Sequence, residues 1–108
     1  MPEQIHTDHS FHEITHNNEN VVIQFMSRSC GMSRMSQGIF DMLENQCNGV
    51  KFVKIDVNDN PDTCDRLNIR NTPTFMFFKQ ARKVDQLTIN GVDDLEGELK
   101  QNLQNLLS

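Results

Sequence analysis

The sequence contains no tryptophan and no tyrosine, and its 108 residues include only three prolines and three cysteines. It has no apolar run of about 18 residues, the length at which a membrane-spanning helix becomes plausible. Its first residues, MPEQIHTDHSF, have neither the basic segment nor the apolar segment of a secretory signal. We therefore expect neither a membrane span nor a secretory signal.

The three cysteines, Cys30, Cys47 and Cys64, are odd in number and widely spaced, which is not the pattern of a disulfide framework. Reduced thiols are typical of reducing compartments, so we expect a protein of the cytoplasm or the nucleus. Ten basic and 15 acidic residues give a net charge of −5, which argues against nucleic acid as the main partner. We expect no membrane partner, and a monomer or a weak dimer.

The chain length suits a single domain over residues 1–108. Apolar runs predict its strands. The nearly continuous run over 21–26 predicts a strand buried on both faces, and the partly alternating run over 52–57 predicts another. An aromatic run over 74–78 and an alternating segment over 83–89 are close enough to pair antiparallel, and a short edge strand is expected at 4–6.

Apolar residues at helical spacing predict four helices. Either Thr7 or Ser10 can cap the first, and Asn60 followed by Pro61 marks the start of a short third helix. The second helix is expected to bury the stripe Met32, Met35, Ile39, Leu43 and Cys47. The last is expected to bury Val92, Leu95, Leu99, Leu103 and Leu106. The order β-α-β-α-β-α-β-β-α indicates an α/β fold with helices on both faces of a central sheet.

Residues 25–35, which read FMSRSCGMSRM, join a buried strand to the start of a helix. A thiol at a helix start lies near free backbone N–H groups and the positive end of the helix dipole. Both favour the thiolate and lower the thiol pKa, and Arg28 and Arg34 add positive charge on either side. We therefore predict that Cys30 is an activated nucleophile.

Three segments, taken together and in order, resemble the thioredoxin family. Residues 21–35 are similar to its active-site region, in which Trp-Cys-Gly-Pro-Cys opens a helix. Residues 51–61, KFVKIDVNDNP, are similar to the next strand and turn, and residues 72–79, TPTFMFFK, to the strand that begins with a cis-proline. The resemblance covers nearly the whole chain and implies the thioredoxin fold, a central mixed five-stranded sheet flanked by four helices in three layers.

The resemblance also implies roles for individual residues. Cys30 would be the nucleophile, and Pro73 would follow a cis peptide bond beside it, a geometry found in only about 5% of X-Pro bonds. The backbone at Thr72 would pair with an extended substrate peptide next to the thiol. Further substrate contacts are implied at positions that match the tetrad and the glycine after the last strand, namely Gly31, Met32 and Gly91.

The chain departs from the family at the two positions that release the mixed disulfide and transfer the proton. Ser33 replaces the second active-site cysteine, and Gln24 replaces the buried aspartate that serves proton transfer, whereas Lys54 matches the lysine that partners this aspartate. Gln24, Lys54 and the two arginines are expected to tune the pKa of Cys30. For Arg28 and Arg34, the binding of glutathione carboxylates and a simply solvated side chain both stay open. Smaller departures are Ser29, Met32, Gly38 and Ala81, which stand where the family has a tryptophan, two prolines and a hairpin glycine.

Ser33 determines the predicted mechanism. Serine cannot form a disulfide, although its hydroxyl can donate a hydrogen bond to the Cys30 thiolate. The sequence therefore predicts a monothiol oxidoreductase. Its cysteine would form mixed disulfides with protein or glutathione partners and would need an external thiol for release.

The sequence leaves three alternatives open. The fold can persist as a redox-inactive module that docks a partner along Thr72, Pro73 and the Met-rich rim. Ser33 can be an engineered replacement that traps mixed disulfides of a dithiol thioredoxin. Finally, CGMS at residues 30–33 is similar to the Cys-Gly-Phe-Ser tetrad of glutaredoxin-like iron–sulfur carriers, but their upstream lysine and downstream Gly-Gly are absent. No cofactor is predicted.

The remaining soft and basic residues have structural interpretations. Cys47 and Cys64 lie on predicted apolar helix faces and are interpreted as buried, inert thiols, and Cys64 would link two chains only if exposed. Three methionines are interpreted as core filler and soft contact surface around the thiol: Met26, Met32 and Met35. Four histidines are interpreted as a solvated face rather than a metal site, because no cysteine or carboxylate set completes it: His6, His9, His12 and His16.

Overall fold

The computed structural model describes residues 1–88 and 94–108, and their elements follow the predicted order. The strands are β1 (Glu3–Ile5), β2 (Asn20–Met26), β3 (Lys51–Asp56), β4 (Thr74–Lys79) and β5 (Arg82–Thr88). The helices are α1 (Asp8–Asn17), α2 (Gly31–Gln46), α3 (Pro61–Arg66) and α4 (Leu95–Leu107). The predictions for Ile89, Gly91 and Val92 lie outside the described residues.

The strands form one mixed five-stranded sheet in the order β1-β3-β2-β4-β5. β3 pairs in parallel with β1 and with β2, whereas β4 runs antiparallel to both β2 and β5. Phe25, near the end of β2, therefore pairs with Ile55 near the end of β3 and with Thr74 at the start of β4. The loop that enters α2 begins at this end of the sheet.

Two hydrophobic clusters cover the two faces of the sheet, because successive strand residues point to opposite sides. On one face, α2 and α4 pack with a cluster that includes Val22, Phe40, Phe52, Phe75, Phe77, Leu99 and Leu103. On the other face, α1 and α3 pack with a cluster that includes Phe11, Ile23, Phe25, Val53, Ile55, Cys64 and Met76. The predicted three-layer arrangement of a five-stranded sheet and four helices is confirmed.

The structure decides how the first and third helices begin. Thr7 caps α1, since its Oγ1 accepts a hydrogen bond from the backbone N–H of Ser10 at 3.0 Å. Asn60 does precede Pro61 at the start of α3, but its side chain makes no capping hydrogen bond. Its Nδ2 instead donates to the backbone oxygen of Asp56 at 3.0 Å, which ties the start of α3 to the end of β3.

The buried face of α2 differs from the predicted stripe. Met32 and Met35 are 37% and 64% exposed, and Ser33 and Ser36 occupy the buried face of the first two turns. The predicted burial of the two methionines is wrong because the helix start extends beyond the hydrophobic cluster. Its inward face meets polar groups at the end of β2 rather than core side chains.

The carboxyl-terminal elements lie close to their predicted bounds. β5 begins one residue earlier than predicted, after a turn in which Gln80 and Ala81 have positive φ angles of 52° and 66°. α4 begins after Asp94, whose Oδ1 accepts from the N–H of Gly97 at 3.0 Å. Within the described residues, no helix combines the length and the apolar character needed to cross a membrane.

Candidate active site

Cys30 is the residue that starts α2. It has an extended backbone conformation at the N-cap position, and its N–H donates to the carbonyl of Ser27 at 3.0 Å. Its side chain is only half-buried, so a partner can reach the sulfur. β2 ends at Met26, and the four residues that follow turn the chain from the sheet into the helix.

The thiol faces the start of β4. The Sγ of Cys30 lies 3.5 Å from the backbone oxygen of Thr72, to which the protonated thiol donates. The Thr72–Pro73 peptide bond is cis, and Pro73 is buried. The fold thus brings together Cys30, Thr72 and Pro73, three predicted site residues from two distant segments.

Ser33 lies beneath Cys30 and is completely buried. Its Oγ accepts a hydrogen bond from the backbone N–H of Ser27 at 3.3 Å. Because this bond occupies an acceptor site of the hydroxyl, the hydroxyl hydrogen remains available for donation. The sulfur of Cys30 is the neighbour that can accept it.

These contacts favour the thiolate. The pKa of Cys30 is held below its ordinary value of 9.0, chiefly by the hydroxyl of Ser33, then by the backbone N–H of Ser33 and the hydroxyl of Thr72. The N–H of Met32 also contributes, whereas burial opposes the effect. Hydrogen bonds to the anionic form and the positive end of a 16-residue helix are the physical causes of this kind of activation.

A buried polar network supports Ser33 from the sheet side. The Nε2 of Gln24 donates to the Oγ of Ser36 at 2.6 Å, and this hydroxyl donates to the backbone oxygen of Ser33 at 2.9 Å. Gln24 and Ser36 are both fully buried. Gln24 thus contacts the helix start through an uncharged amide, which neither gains nor loses a proton near neutral pH.

Lys54 is the parallel neighbour of Gln24 on β3 and is only 7% exposed. Among the described residues it makes no ion pair. Gln24 reaches the helix that Cys30 begins through its contact with Ser36, and the tuning of Cys30 by Gln24 and Lys54 stays a prediction.

Arg28 forms ion pairs with two carboxylates near the end of β3. Its Nε lies 3.0 Å from Oδ2 of Asp56, and its Nη2 lies 3.5 Å from Oδ1 of Asp59. Asp56 is fully buried at the end of β3, so the guanidinium group neutralises a buried carboxylate. The causes that lower the pKa of Cys30 are hydrogen bonds from Ser33, Thr72 and Met32, and the tuning of Cys30 by Arg28 stays a prediction.

Arg34 is exposed one helical turn after Cys30, and its N–H points to the carbonyl of Cys30 at 3.4 Å. Within the described part of the chain its side chain has no ion-pair partner. Gly31 and Met32 are exposed at the first turn of α2, beside the sulfur. The remaining predicted contact, Gly91, lies outside the described residues.

Comparison with known proteins bears on the whole chain. The thioredoxin family model matches residues 3–105. The chain belongs to the thioredoxin family. It is 30% identical over 102 residues to thioredoxin from Equus caballus, across 93% of this chain and 97% of that protein. It is 38% identical over 81 residues to thioredoxin from Pyropia yezoensis, across 73% of this chain and 76% of that protein.

The solved structures agree. Thioredoxin from Malassezia sympodialis has a TM-score of 0.89 and 26% identity to this chain, over 100% of this chain and 92% of that one. The thioredoxin fold and the family resemblance predicted from the sequence are thereby confirmed, and the chain is a member of a family of redox proteins.

The other two thiols of this thioredoxin-family chain lie away from Cys30. Burial raises the pKa of Cys47, which is half-buried at the end of α2. Burial also raises the pKa of Cys64 to about 11, and Asp65 and Asp56 act in the same direction. Both environments disfavour the reactive thiolate.

The histidine-rich helix pairs internally with carboxylates. His9 lies 3.4 Å from Glu13, and His12 lies 3.3 Å from Asp8, each one helical turn apart on the exposed side of α1. Residues 1–88 and 94–108 contain no group of three or more histidine, cysteine or acidic side chains placed to hold a metal ion.

Sequence reasoning missed three supporting residues: Ser36, Asp56 and Asn58. Asn58 donates from Nδ2 to the Oγ of Ser27 at 3.2 Å and so links the loop after β3 to the loop before Cys30. The signal for Ser36 was its spacing of three residues from Ser33, which places both hydroxyls on one helix face. The signal for Asp56 and Asn58 was the parallel pairing of β2 and β3, which brings their carboxyl ends together.

Proposed function

We propose that this chain is a monothiol thioredoxin-like oxidoreductase whose only active-site sulfur is Cys30. One observation carries the proposal. A half-buried thiol with a lowered pKa lies beside Thr72, while the neighbouring inward position of α2 holds the hydroxyl of Ser33 instead of a second sulfur.

The first step is attack by the Cys30 thiolate on a partner disulfide. A new bond forms between Sγ of Cys30 and one partner sulfur, and the partner's sulfur–sulfur bond breaks. The other partner sulfur leaves as a thiolate with the bonding electron pair. The hydroxyl of Ser33 and the helix start stabilise the attacking anion before this step, and the backbone of Thr72 is placed to align an extended partner segment.

Release requires a second thiol from outside the chain. An external thiolate attacks the mixed disulfide, the bond to Cys30 breaks, and Cys30 leaves as the thiolate. Ser33 cannot make this attack. Glutathione, or a second cysteine of the partner protein, supplies the thiol in our proposal, which includes no bound cofactor.

The proposal also covers organisation and location. A single domain over residues 1–108 acts on protein disulfides or glutathione, as a monomer or weak dimer in the cytoplasm or nucleus. The odd number and wide spacing of the three cysteines are the support for a reducing compartment.

The test uses a disulfide peptide and mass spectrometry. Without added thiol, we expect one peptide per chain to become attached to Cys30, and added glutathione should release it. The variant Ser33→Cys is the matched comparison, because its second sulfur should discharge the peptide without glutathione. Discharge at the same rate by the unmodified chain alone would contradict a monothiol mechanism, as would attachment at Cys47 or Cys64 instead of Cys30.

A redox-inactive docking module is a second candidate, favoured by the exposure of Met32 and Met35 beside the thiol. On this proposal the variant Cys30→Ser retains the capture of partners from a cell extract. On the oxidoreductase proposal, capture depends on the covalent bond and disappears both in this variant and after reduction.

A further inference from the structure

Arginine is the only charged residue type in the two segments that meet at the thiol. Residues 27–35 contain Arg28 and Arg34, residues 69–73 contain Arg70, and neither segment contains a carboxylate. The contact of 3.5 Å between Cys30 Sγ and Thr72 O brings these segments together. These two segments therefore differ in charge from a chain whose net charge is −5.

Two of these arginines remain available to a partner. Arg28 is paired with Asp56 and Asp59, whereas Arg34 and Arg70 are exposed and make no ion pair within the described residues. Arg34 is four residues after Cys30 on α2, so both residues lie on one face of the helix. Arg70 is two residues before Thr72, whose backbone borders the sulfur.

Among the described carboxylates at the starts of α3 and α4, Glu98 in the first turn of α4 is exposed without an ion pair, and the others are engaged or lie in the other layer. Asp94 caps α4, and Glu96 pairs with Lys100 at 2.8 Å. Asp62 and Asp65 lie on α3, which belongs to the layer on the opposite face of the sheet from α2.

Two exposed methionines accompany these arginines. We call the four residues the rim: Met32, Arg34, Met35 and Arg70. Met32 and Met35 are 37% and 64% exposed on the first two turns of α2, the helix that Cys30 begins. Flexible thioether side chains adapt to varied apolar partners. The two segments that meet at the thiol thus carry two exposed, adaptable apolar side chains and two exposed cations that have no ion pair among the described residues.

We propose that this rim selects partner proteins in which the attacked cysteine lies in an extended segment that carries Asp or Glu together with apolar side chains. The inference rests on the proposed function and names its substrate class. The carboxylates contact Arg34 and Arg70, and the apolar side chains contact Met32 and Met35. We propose a protein segment rather than a small thiol as the ligand, because the contacts extend over both the start of α2 and the residues before β4.

The test compares peptides of equal length that contain one cysteine linked by a disulfide to thionitrobenzoate. Cys30 attacks the peptide sulfur, a disulfide joins peptide and protein, and thionitrobenzoate leaves with the electron pair and is measured by its absorbance. With Glu flanks the rate constant should be about tenfold higher than with Lys flanks at low salt. The two rates should converge in high salt, where charges are screened within a few ångströms.

Variants assign the preference to the rim. Arg34→Gln and Arg70→Gln should each lower the ratio of the acidic-peptide rate to the basic-peptide rate. This ratio does not depend on the thiolate fraction, since both peptides react with the same thiol. Arg82→Gln is the matched control, because Arg82 is also exposed. Its backbone is opposite that of Lys79 in the β4–β5 ladder, at the end of β4 remote from Thr74 and roughly 20 Å from the site. It should leave the ratio unchanged.

Failure of the charge preference is distinguishable from failure of the redox proposal. If Cys30 reacts with all peptides at equal rates, or if Arg82→Gln lowers the ratio as much as Arg34→Gln, the rim does not select acidic partners. If Cys30 reacts with none, the proposed chemistry is wrong, and fluorescence anisotropy with cysteine-to-serine peptides still compares the binding of Glu and Lys flanks. If the mixed disulfide of glutathione and thionitrobenzoate reacts as fast as the acidic peptide, the proposal of a protein segment is wrong, and glutathione is the favoured partner.

Discussion

The exchange of one sulfur for one oxygen at position 33 changes what the site can complete. A second cysteine would be both a hydrogen-bond donor and a nucleophile toward a mixed disulfide. Ser33 retains only the first property, and its oxygen accepts from the N–H of Ser27, so that its hydrogen stays available for donation. Activation of Cys30 and discharge of its product are therefore separate properties of this site.

Removal of this hydroxyl should raise the pKa of Cys30. Because Ser33 is the largest cause of the lowered pKa, we expect Ser33→Ala to shift the titration toward the ordinary value of 9.0. The measurement is the alkylation rate of Cys30 against pH, read by mass spectrometry. Ser29→Ala is the control, since the Ser29 hydroxyl bonds to Ser27 at 2.8 Å. An unchanged midpoint in Ser33→Ala would falsify the assignment.

The buried carboxylate of Asp56 makes Arg28 a stabilising residue. Arg28→Gln should lower the free energy of unfolding by about 1–3 kcal/mol, below the roughly 3–5 kcal/mol of a fully buried pair, because its side chain is 72% exposed. Urea unfolding measures the change. Arg34→Gln, which removes an exposed arginine that has no ion pair within residues 1–88 and 94–108, should change stability by less than about 0.5 kcal/mol. The double variant Arg28→Gln/Asp56→Asn should recover stability, and a failure to recover would reject the pairing argument.

Among the elements, α2 combines two environments in one helix. Its later turns bury Phe40 and Leu43 in the cluster shared with α4, whereas its first turns bury Ser33 and Ser36 against polar groups. The exposed methionines follow from this arrangement, because the serines take the inward positions. Periodicity identified the helix but assigned the wrong residues to the inward face of its first turns.

Gly38 weakens the middle of α2 without a steric reason. A Cβ at this position would meet no atom within 4 Å, so Gly38→Ala should raise the free energy of unfolding by about 0.5–1 kcal/mol through reduced chain entropy. Chemical denaturation provides the measurement. Gly97→Ala is a control that should lower the free energy of unfolding, because a Cβ there would overlap the carboxylate of Asp94 that caps α4. Destabilisation by Gly38→Ala would show that α2 needs flexibility there.

The β4–β5 turn contains strain that one substitution should relieve. Ala81 has a φ of 66°, a region that costs a residue with a Cβ roughly 1–2 kcal/mol. Ala81→Gly should raise stability by about 0.5–1 kcal/mol after the entropy gained by the unfolded chain is subtracted. Thermal unfolding should show a higher midpoint for this variant and a lower one for Ala81→Val. A lower midpoint for Ala81→Gly would contradict the strain argument.

For the molecule as a whole, alkaline stability should depend on Cys64. Its pKa of about 11 in the folded chain exceeds the ordinary value of 9.0, so the unfolded chain loses this proton more readily. This contribution to stability is present below pH 9.0 and declines as pH rises toward 11, by about 2–3 kcal/mol in total. No tyrosine titrates in this range.

Urea unfolding at a series of alkaline pH values measures this decline. The variant Cys64→Ala should begin from a lower stability, because it leaves a small cavity, but should decline less steeply with pH. Equal slopes for the two proteins would assign the alkaline loss to other groups.

The order of elements, the central sheet and the placement of Cys30 at a helix start all followed from local pattern. Apolar runs and helical spacing are properties of neighbouring residues, and strands separated by helices indicate a sheet covered by helices. The direction of β4 is a tertiary property, because α3 connects β3 to a strand that runs antiparallel to β2. The same local logic made Cys30 the nucleophile candidate, because a helix start is recognisable from the residues on either side. The motifs that carried the family resemblance are likewise contiguous.

Tertiary contacts decided what surrounds the sulfur. The Ser27–Ser33 bond, the Gln24–Ser36 bond and the Arg28–Asp56 pair depend on how α2 is oriented over the ends of β2 and β3. Several side chains that are remote in the chain come close in space at the start of α2. Packing of the helix on the sheet determines which of them form hydrogen bonds and ion pairs with one another. For this reason an arginine next to the nucleophile binds a distant aspartate, and two serines rather than two methionines lie beneath the thiol.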